Sequence, residues 1–342
     1  MTGSQADIRA LMKGSERTEQ GARAALIDQA RVLFVIGKGG VGKSAVTAAM
    51  ALSAAASGQR VCVAEMNGSE SIASLLGCPP AGYPGRELSA GVHVISITPQ
   101  LATEEYLVRT LRFRKLYNLV FGNRYIEPLM NGILGLSDLC SVGKIMDLEW
   151  QREDGSFGPD SKGSHQFDRI LVDCPSTGHG LALLDAARTM MNVTGSGPLH
   201  DNSALIAELL EDPTRSAALL VSLPEEMPVS ETLEAASHLQ ESGHIALTGI
   251  VLNAVENALA DEQQLEAWWD ELRQEGRQLG GHPLAAIRSG EASIQRRKQA
   301  LKHANRLRRE SRVPVIELPR LPGQLGHNEL FELGQQLREW RP

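Results

Sequence analysis

Short, largely apolar runs alternate along the chain with longer stretches whose apolar residues recur at helical spacing. The runs are Val32–Ile36, Arg60–Ala64, Val92–Ile97, Gln166–Asp173, Ala217–Ser222, Gly249–Asn253 and Val313–Leu318. Each has strand length, and near-continuous apolar character suits a strand covered on both faces. Helical segments lie between most of them. The pattern therefore predicts an α/β fold, a doubly wound, mostly parallel sheet of about seven strands within a single domain spanning 1–342. Ligands of such sheets sit at the C-terminal ends of the strands.

Several stretches do not fit a simple crossover. Leu101 to Glu153 is too long for one and is apolar at helical spacing, through Tyr106, Leu107, Leu111, Leu116, Leu119, Val120, Ile126, Leu129, Ile133, Leu139 and Ile145. We expect a helical insertion at 101–153, either a lid packed on its own domain or a hydrophobic surface for a partner or client. A polar loop, Gln151–Ser164, returns the chain to the sheet. Ser289–Arg309 predicts a helix rich in Arg and Lys, to be read first as a solvated face and second as a contact for an anionic surface. Asn328–Trp340 is amphipathic and suits a helix packed on the core, with a membrane-facing role as the alternative. Residues 1–20 are polar and expected to be disordered, and Gly21–Ala30 suggests a short helix leading into the first strand.

Composition narrows the class. The 342 residues are 42% hydrophobic and 22% charged, with a formal net charge of −7, which disfavours nucleic acid as a partner. The four cysteines, Cys62, Cys78, Cys140 and Cys174, include no C-x-x-C pair, which fits a reducing cytoplasm and disfavours a zinc site or disulfide framework. No apolar run reaches membrane-spanning length, so stable membrane insertion is not expected.

The chemistry begins at Gly37-Lys-Gly-Gly-Val-Gly-Lys-Ser44, which fits G-x-x-x-x-G-K-[ST] between an apolar strand and an Ala-rich helix. Here Gly37, Lys38, Gly39, Gly40, Val41, Gly42, Lys43, Ser44 and Ala45 are the candidate nucleotide-binding residues. Glycines let backbone N–H groups turn toward phosphate, and the helix N-terminus adds partial positive charge. Lys43 would neutralise the β- and γ-phosphates of ATP, and the Ser44 hydroxyl would ligate Mg²⁺. Arg169–Leu184 reads RILVDCPSTGHGLALL, in which Asp173 ends an apolar strand and is the second candidate Mg²⁺ ligand. Beyond it, Ser176–His179 reads as a flexible turn able to sense the γ-phosphate.

With Lys38 inside the loop, the motif becomes G-K-G-G-x-G-K-[ST], which resembles the signature-lysine branch of P-loop ATPases. The string around Asp173 resembles the D-x-P-A-T-G-H-G-L-x-L-L segment of bacterial ArsA-like ATPases. Glu104–Leu107, Gly135–Lys144, Gly197–Leu199 and Leu223–Leu233 match further signatures of that family. The resemblance implies a SIMIBI-type P-loop domain that sandwiches ATP in a dimer, with Lys38 reaching the partner's nucleotide. It also implies that Asn253 reads adenine and that the segment holding Pro319 and Leu321 closes the base pocket.

Three departures from the family pattern matter. By register with the family, Asn67 stands where many relatives carry the aspartate that orients the attacking water, which predicts slow hydrolysis. The zinc-clasp and metalloid-binding cysteines are missing. The chain holds one P-loop, so a two-site machine requires a second subunit. We therefore expect a nucleotide-gated dimeric ATPase, with itself or a homologous subunit, whose insertion binds an unidentified protein client or partner. The alternatives are a non-hydrolysing regulatory subunit paired with a catalytic homologue and, further off, a MinD/ParA-like positioning ATPase.

Overall fold

The computed structural model describes residues 30–66, 68–111, 135–258, 271, 275 and 281–339. The expected frayed segment 1–20, most of the expected helix at 21–30, Asn67, the part of the candidate insertion from Leu116 to Ile133, and Trp340 lie outside the described residues.

The apolar runs form the strands of one sheet. These are β1 (Val32–Gly37), β2 (Val61–Met66), β4 (Val92–Ile97), β5 (Arg169–Ser176), β6 (Ser216–Ser222), β7 (Ala246–Val255) and β8 (Val315–Pro319), and β3 (Arg86–Ser89) is added at one edge. The order is β3-β4-β2-β5-β1-β6-β7-β8. All neighbouring pairs are parallel except β3 with β4. The expectation of about seven strands falls short by β3, a four-residue strand of sequence RELS. Its residues are exposed or half-buried, so it carries none of the apolar signal that marks the others.

β1 lies between β5 and β6, although β2 follows it in the chain. The crossovers therefore leave β1 in opposite directions, and the crevice beyond its C-terminal end lies at a topological switch point. β1, β2 and β6 are buried at every position. This agrees with a sheet covered on both faces, which explains the unbroken apolar runs.

One face carries α1 (Lys43–Ala56) and the C-terminal helix α9 (His327–Glu339). A methyl group on Gly334 would stand 2.1 Å from the Ala49 carbonyl oxygen, so only glycine permits this close helix approach. Leu330, Leu333 and Leu337 are buried against α1 and the sheet. The apolar stripe of the amphipathic C-terminal segment is thus spent in the core.

The other face carries α4 (Leu136–Trp150), α5 (Thr177–Thr194), α6 (Pro198–Glu211), α7 (Glu226–Ser242) and α8 (Gly281–Ser311). Almost every residue of α4 is buried, so the C-terminal part of the candidate insertion is a core helix. It packs beside α3 (Pro99–Leu111), joined by Lys144 to Glu105 and Arg109 to Asp147. The short helix α2 (Ser71–Leu75) follows β2. Along α8, Arg296, Arg306, Arg308 and Arg309 pair with carboxylates of the same chain, which favours the solvated-face reading over an anionic-surface contact. No helix among the described residues is long and apolar enough to cross a membrane.

Candidate nucleotide site

The strand-to-helix turn after β1 is shaped by two close approaches. A Cβ at Gly37 would stand 2.3 Å from the Val221 carbonyl oxygen, and one at Gly42 would stand 2.3 Å from Asn253 Nδ2. Gly42 also has φ 91°, a left-handed conformation that costs a side chain energy. The turn can therefore press against β6 and β7 only with glycine at these two positions. Val41 is buried under the turn and Ala45 within the first turn of α1, while Gly39 and Gly40 face solvent.

Lys43 folds back over the turn. Its Nζ donates to the carbonyl oxygens of Gly37 at 2.9 Å and Lys38 at 3.1 Å. Burial lowers its pKa, and nearby Asp173 partly offsets that effect. Ser44, next on α1, donates its hydroxyl to Asp173 Oδ2 at 2.5 Å. The two residues are 129 positions apart and meet because β5 is the neighbour of β1.

Asp173 is 5% exposed, and its Oδ1 is buried without a hydrogen-bond partner. Burial raises its carboxyl above the usual range, with Ser44 and Lys43 pulling the other way. Glu65 is its register partner on β2 and is fully buried. Glu65 Oε1 accepts from the Ile72 N–H at 2.8 Å and the Ser69 hydroxyl at 3.2 Å, which ties β2 to the start of α2. Its Oε2, like Asp173 Oδ1, has no partner, and burial raises this carboxyl too. Among the described residues, two adjacent acidic groups thus each keep one unsatisfied oxygen, and one of the two is the carboxylate that Ser44 bonds. Buried carboxylate oxygens are expensive to leave unpaired, and an oxygen-liganded divalent cation supplies what they lack. The donor set therefore fits Mg²⁺. Glu70, also acidic and close in sequence, is already used, since it accepts the N–H groups of Ala81 at 2.8 Å and Gly82 at 3.0 Å.

Other candidate residues fall around the same crevice. Lys38 forms an ion pair with Glu231 of α7 in its own chain. Ser176 to His179 is not a loose turn. β5 runs through Ser176 and α5 starts at Thr177, so backbone pairing and the helix hold it. His179 Nε2 stands 3.3 Å from Asp138 Oδ1 on α4, linking this junction to the candidate insertion. Asn253 lies near the end of β7, and its Nδ2 donates to the Val41 carbonyl at 2.9 Å, which pins the phosphate loop. The amide keeps a second N–H and its oxygen for another partner. Ala254 follows at φ 54°, an unusual backbone for alanine, where the register with β8 shifts. Pro319 pairs in register with Val255, and the Arg320 N–H donates to the Val255 carbonyl at 2.8 Å. Leu321 packs partly buried on the α1 face.

Sequence reasoning singled out the phosphate loop, Ser44, Asp173 and Asn253, and the fold brings them into one crevice. Glu65 was not among its candidate site residues, and it missed Glu231 as the partner of Lys38. The one available signal for Glu65 was a charge inside an otherwise apolar strand.

A glycine-rich loop between a buried strand and a helix, with a lysine, a hydroxyl and an acidic strand end converging on it, defines a P-loop ATPase fold. Residues 30–196 match the model of the anion-transporting (ArsA) ATPases, so over that stretch the chain is similar to the ArsA-like ATPases. The chain is similar to the ATPase BagA of Mycobacterium tuberculosis, at 27% identity over 336 residues, covering 90% of this chain and 93% of that protein. It is also similar to a putative arsenical pump-driving ATPase of Halobacterium salinarum, at 26% identity over 241 residues, 66% of this chain and 36% of that protein. The arsenical pump-driving ATPase of Escherichia coli is 24% identical over 230 residues, 61% of this chain and 36% of its own length.

Proposed function

We propose that this chain is a cytoplasmic ATP-binding protein that works as a nucleotide-gated dimer and hydrolyses ATP slowly. The observation that carries the reading is the meeting of Ser44 with Asp173 at the phosphate loop, with Asp173 Oδ1 and the Oε2 of its register neighbour Glu65 left unpartnered among the described residues. Gly37 to Ala45 would cradle the phosphates with backbone N–H groups, and Lys43 would exchange its two carbonyl contacts for phosphate oxygens. Ser44 and Asp173 would hold Mg²⁺, with Glu65 as a further acidic neighbour. Bound there, the ion supplies charge neutralisation at the β- and γ-phosphates. Asn253 would read adenine, with Pro319 and Leu321 closing over the base.

In the dimer, Lys38 would leave Glu231 and reach the partner's nucleotide, as a cation supplied in trans. The His179–Asp138 contact would pass closure to the candidate insertion, where an unidentified protein client or partner binds. Nucleic acid and stable membrane insertion have no place in this reading.

A second reading is favoured by Asn67. An asparagine cannot take a proton from water at neutral pH, so the chain would act as a non-hydrolysing subunit beside a catalytic homologue. Steady-state phosphate release at saturating ATP separates the two. We expect slow turnover of the wild type, accelerated by Asn67→Asp by roughly 10²-fold with little change in ATP affinity. Brisk wild-type turnover that Asn67→Asp does not speed removes Asn67 from the role. A wild type without turnover, alone and as Asn67→Asp, supports the second reading.

A further inference from the structure

At the opposite end of the sheet from the phosphate loop, the residues just before two neighbouring strands are both arginine. Arg31 precedes β1 and Arg215 precedes β6, and Val32 pairs with Ser216 in parallel register. Six strand residues at about 3.3 Å each put roughly 20 Å between this end and the phosphate loop. Here the two arginines meet the end of α4 and the loop that follows it, around a cavity of about 330 Å³ that Arg152 and His165 also line.

Among the described residues, the charges lining this cavity do not cancel. Arg152 is only 8% exposed. Its guanidinium donates to the carbonyl oxygens of Glu149 at 2.9 Å, Ser161 at 3.2 Å and Gln151 at 3.5 Å, and it touches the His165 ring. None of these partners carries a negative charge. Arg31 makes one hydrogen bond, to the Phe167 carbonyl at 3.4 Å. Arg215 pairs with the buried Glu149 carboxylate at 2.9 Å. Glu208 lines the cavity from an exposed position on α6. Among the described residues, three guanidinium groups thus line the cavity with two carboxylates, of which the single buried one is already paired with Arg215, while Asp168 acts on Arg31 from outside the lining and is itself bonded to Arg60. Burial lowers the pKa of Arg31 and of His165; the neighbouring arginines act in the same direction, and Glu149, with Asp168 at Arg31, pulls the other way. A neutral His165 adds no positive charge, so the imbalance rests on the arginines.

A buried guanidinium without a counter-charge is costly, and its planar fork matches the oxygens of phosphate or carboxylate. We infer that the cavity at the N-terminal ends of β1 and β6 is a binding site for a small oxyanion, held between Arg31 and Arg152. Its size is at the lower end of small-molecule sites and suits a phosphate group or a short dicarboxylate. The inference is independent of the nucleotide reading, because no residue is shared between the two sites.

Calorimetric titration of the full chain with inorganic phosphate and, separately, malonate tests it. The protein is first saturated with ADP and Mg²⁺ to fill the phosphate loop, and ionic strength is held constant with chloride. We expect one saturable site for at least one of the two anions, and the anion that binds identifies the preferred oxyanion. Arg31→Met should weaken that binding by roughly tenfold or more and leave ATP affinity unchanged. Should Arg31→Met fail to fold, Arg31→Lys retains the charge without the fork and should weaken binding several-fold. Absence of saturable binding by both anions overturns the inference. So does phosphate binding that Arg31 variants leave intact, which then belongs beside the ADP.

Discussion

The two sides of β1 present opposite kinds of surface around the phosphate loop. Toward β5 and β2, the buried carboxylates Asp173 and Glu65 each keep an oxygen without a partner. Toward β7 and β8, the polar groups nearest the phosphate loop have partners within the protein. The Asn253 amide is bonded to Val41, the Arg320 N–H to Val255, and Glu256 to Ser293 and Arg296. One side stores an electrostatic deficit that a cation would relieve, while the other carries its charges already paired. On the proposed reading, ion binding would come at the expense of the empty protein's stability, whereas base recognition would not.

The largest expected effect comes from the residue between the two sides. Lys43→Ala removes the ammonium that now spans the Gly37 and Lys38 carbonyls, and ATP affinity should fall on the order of a hundredfold. Calorimetry on the purified variant measures it, and an unchanged affinity would remove the phosphate loop from nucleotide binding altogether.

Asp173→Asn addresses the deficit directly. Mg²⁺-dependent ATP affinity should fall by about tenfold, while the nucleotide-free protein should melt about 1–2 °C higher. The sign follows from the raised carboxyl of Asp173. Between the ordinary carboxylate value and the raised folded value, the folded chain holds more protons than the unfolded one, so ionising Asp173 costs stability as pH rises through that window. The gain from Asp173→Asn is therefore largest at neutral pH and shrinks as pH falls through the raised value. A variant that melts lower than the wild type at neutral pH, or a gain that does not shrink with acid, would erase the contrast between the two sides.

The smallest effect belongs to the matched side. Asn253→Ala should weaken ATP several-fold and reduce discrimination against GTP, read from competition between the two nucleotides. If both nucleotides weaken equally, Asn253 acts by pinning the phosphate loop through Val41 and not by reading the base.

What could be read from the sequence was what chemistry confines to a few adjacent residues. The phosphate loop, its Lys43 and Ser44, and Asp173 at the end of an apolar strand are local patterns, because backbone N–H groups must be presented by consecutive residues. The strands were legible for a similar reason, since burial on both faces demands unbroken apolar runs. β3 escaped notice because an exposed edge strand has no such demand. Tertiary structure alone decided which distant groups became neighbours. Lys38 meets Glu231 across 193 positions, and Asn253 meets Val41 across 212. The crossover order of the sheet, with β5 inserted between β1 and β2, put Glu65 beside Asp173 and made the acidic pair. It likewise set Arg31 beside Arg215 at the far end and laid the apolar stripe of α9 against α1. These outcomes rest on which elements stack together, and residue spacing along one strand or helix carries no record of that.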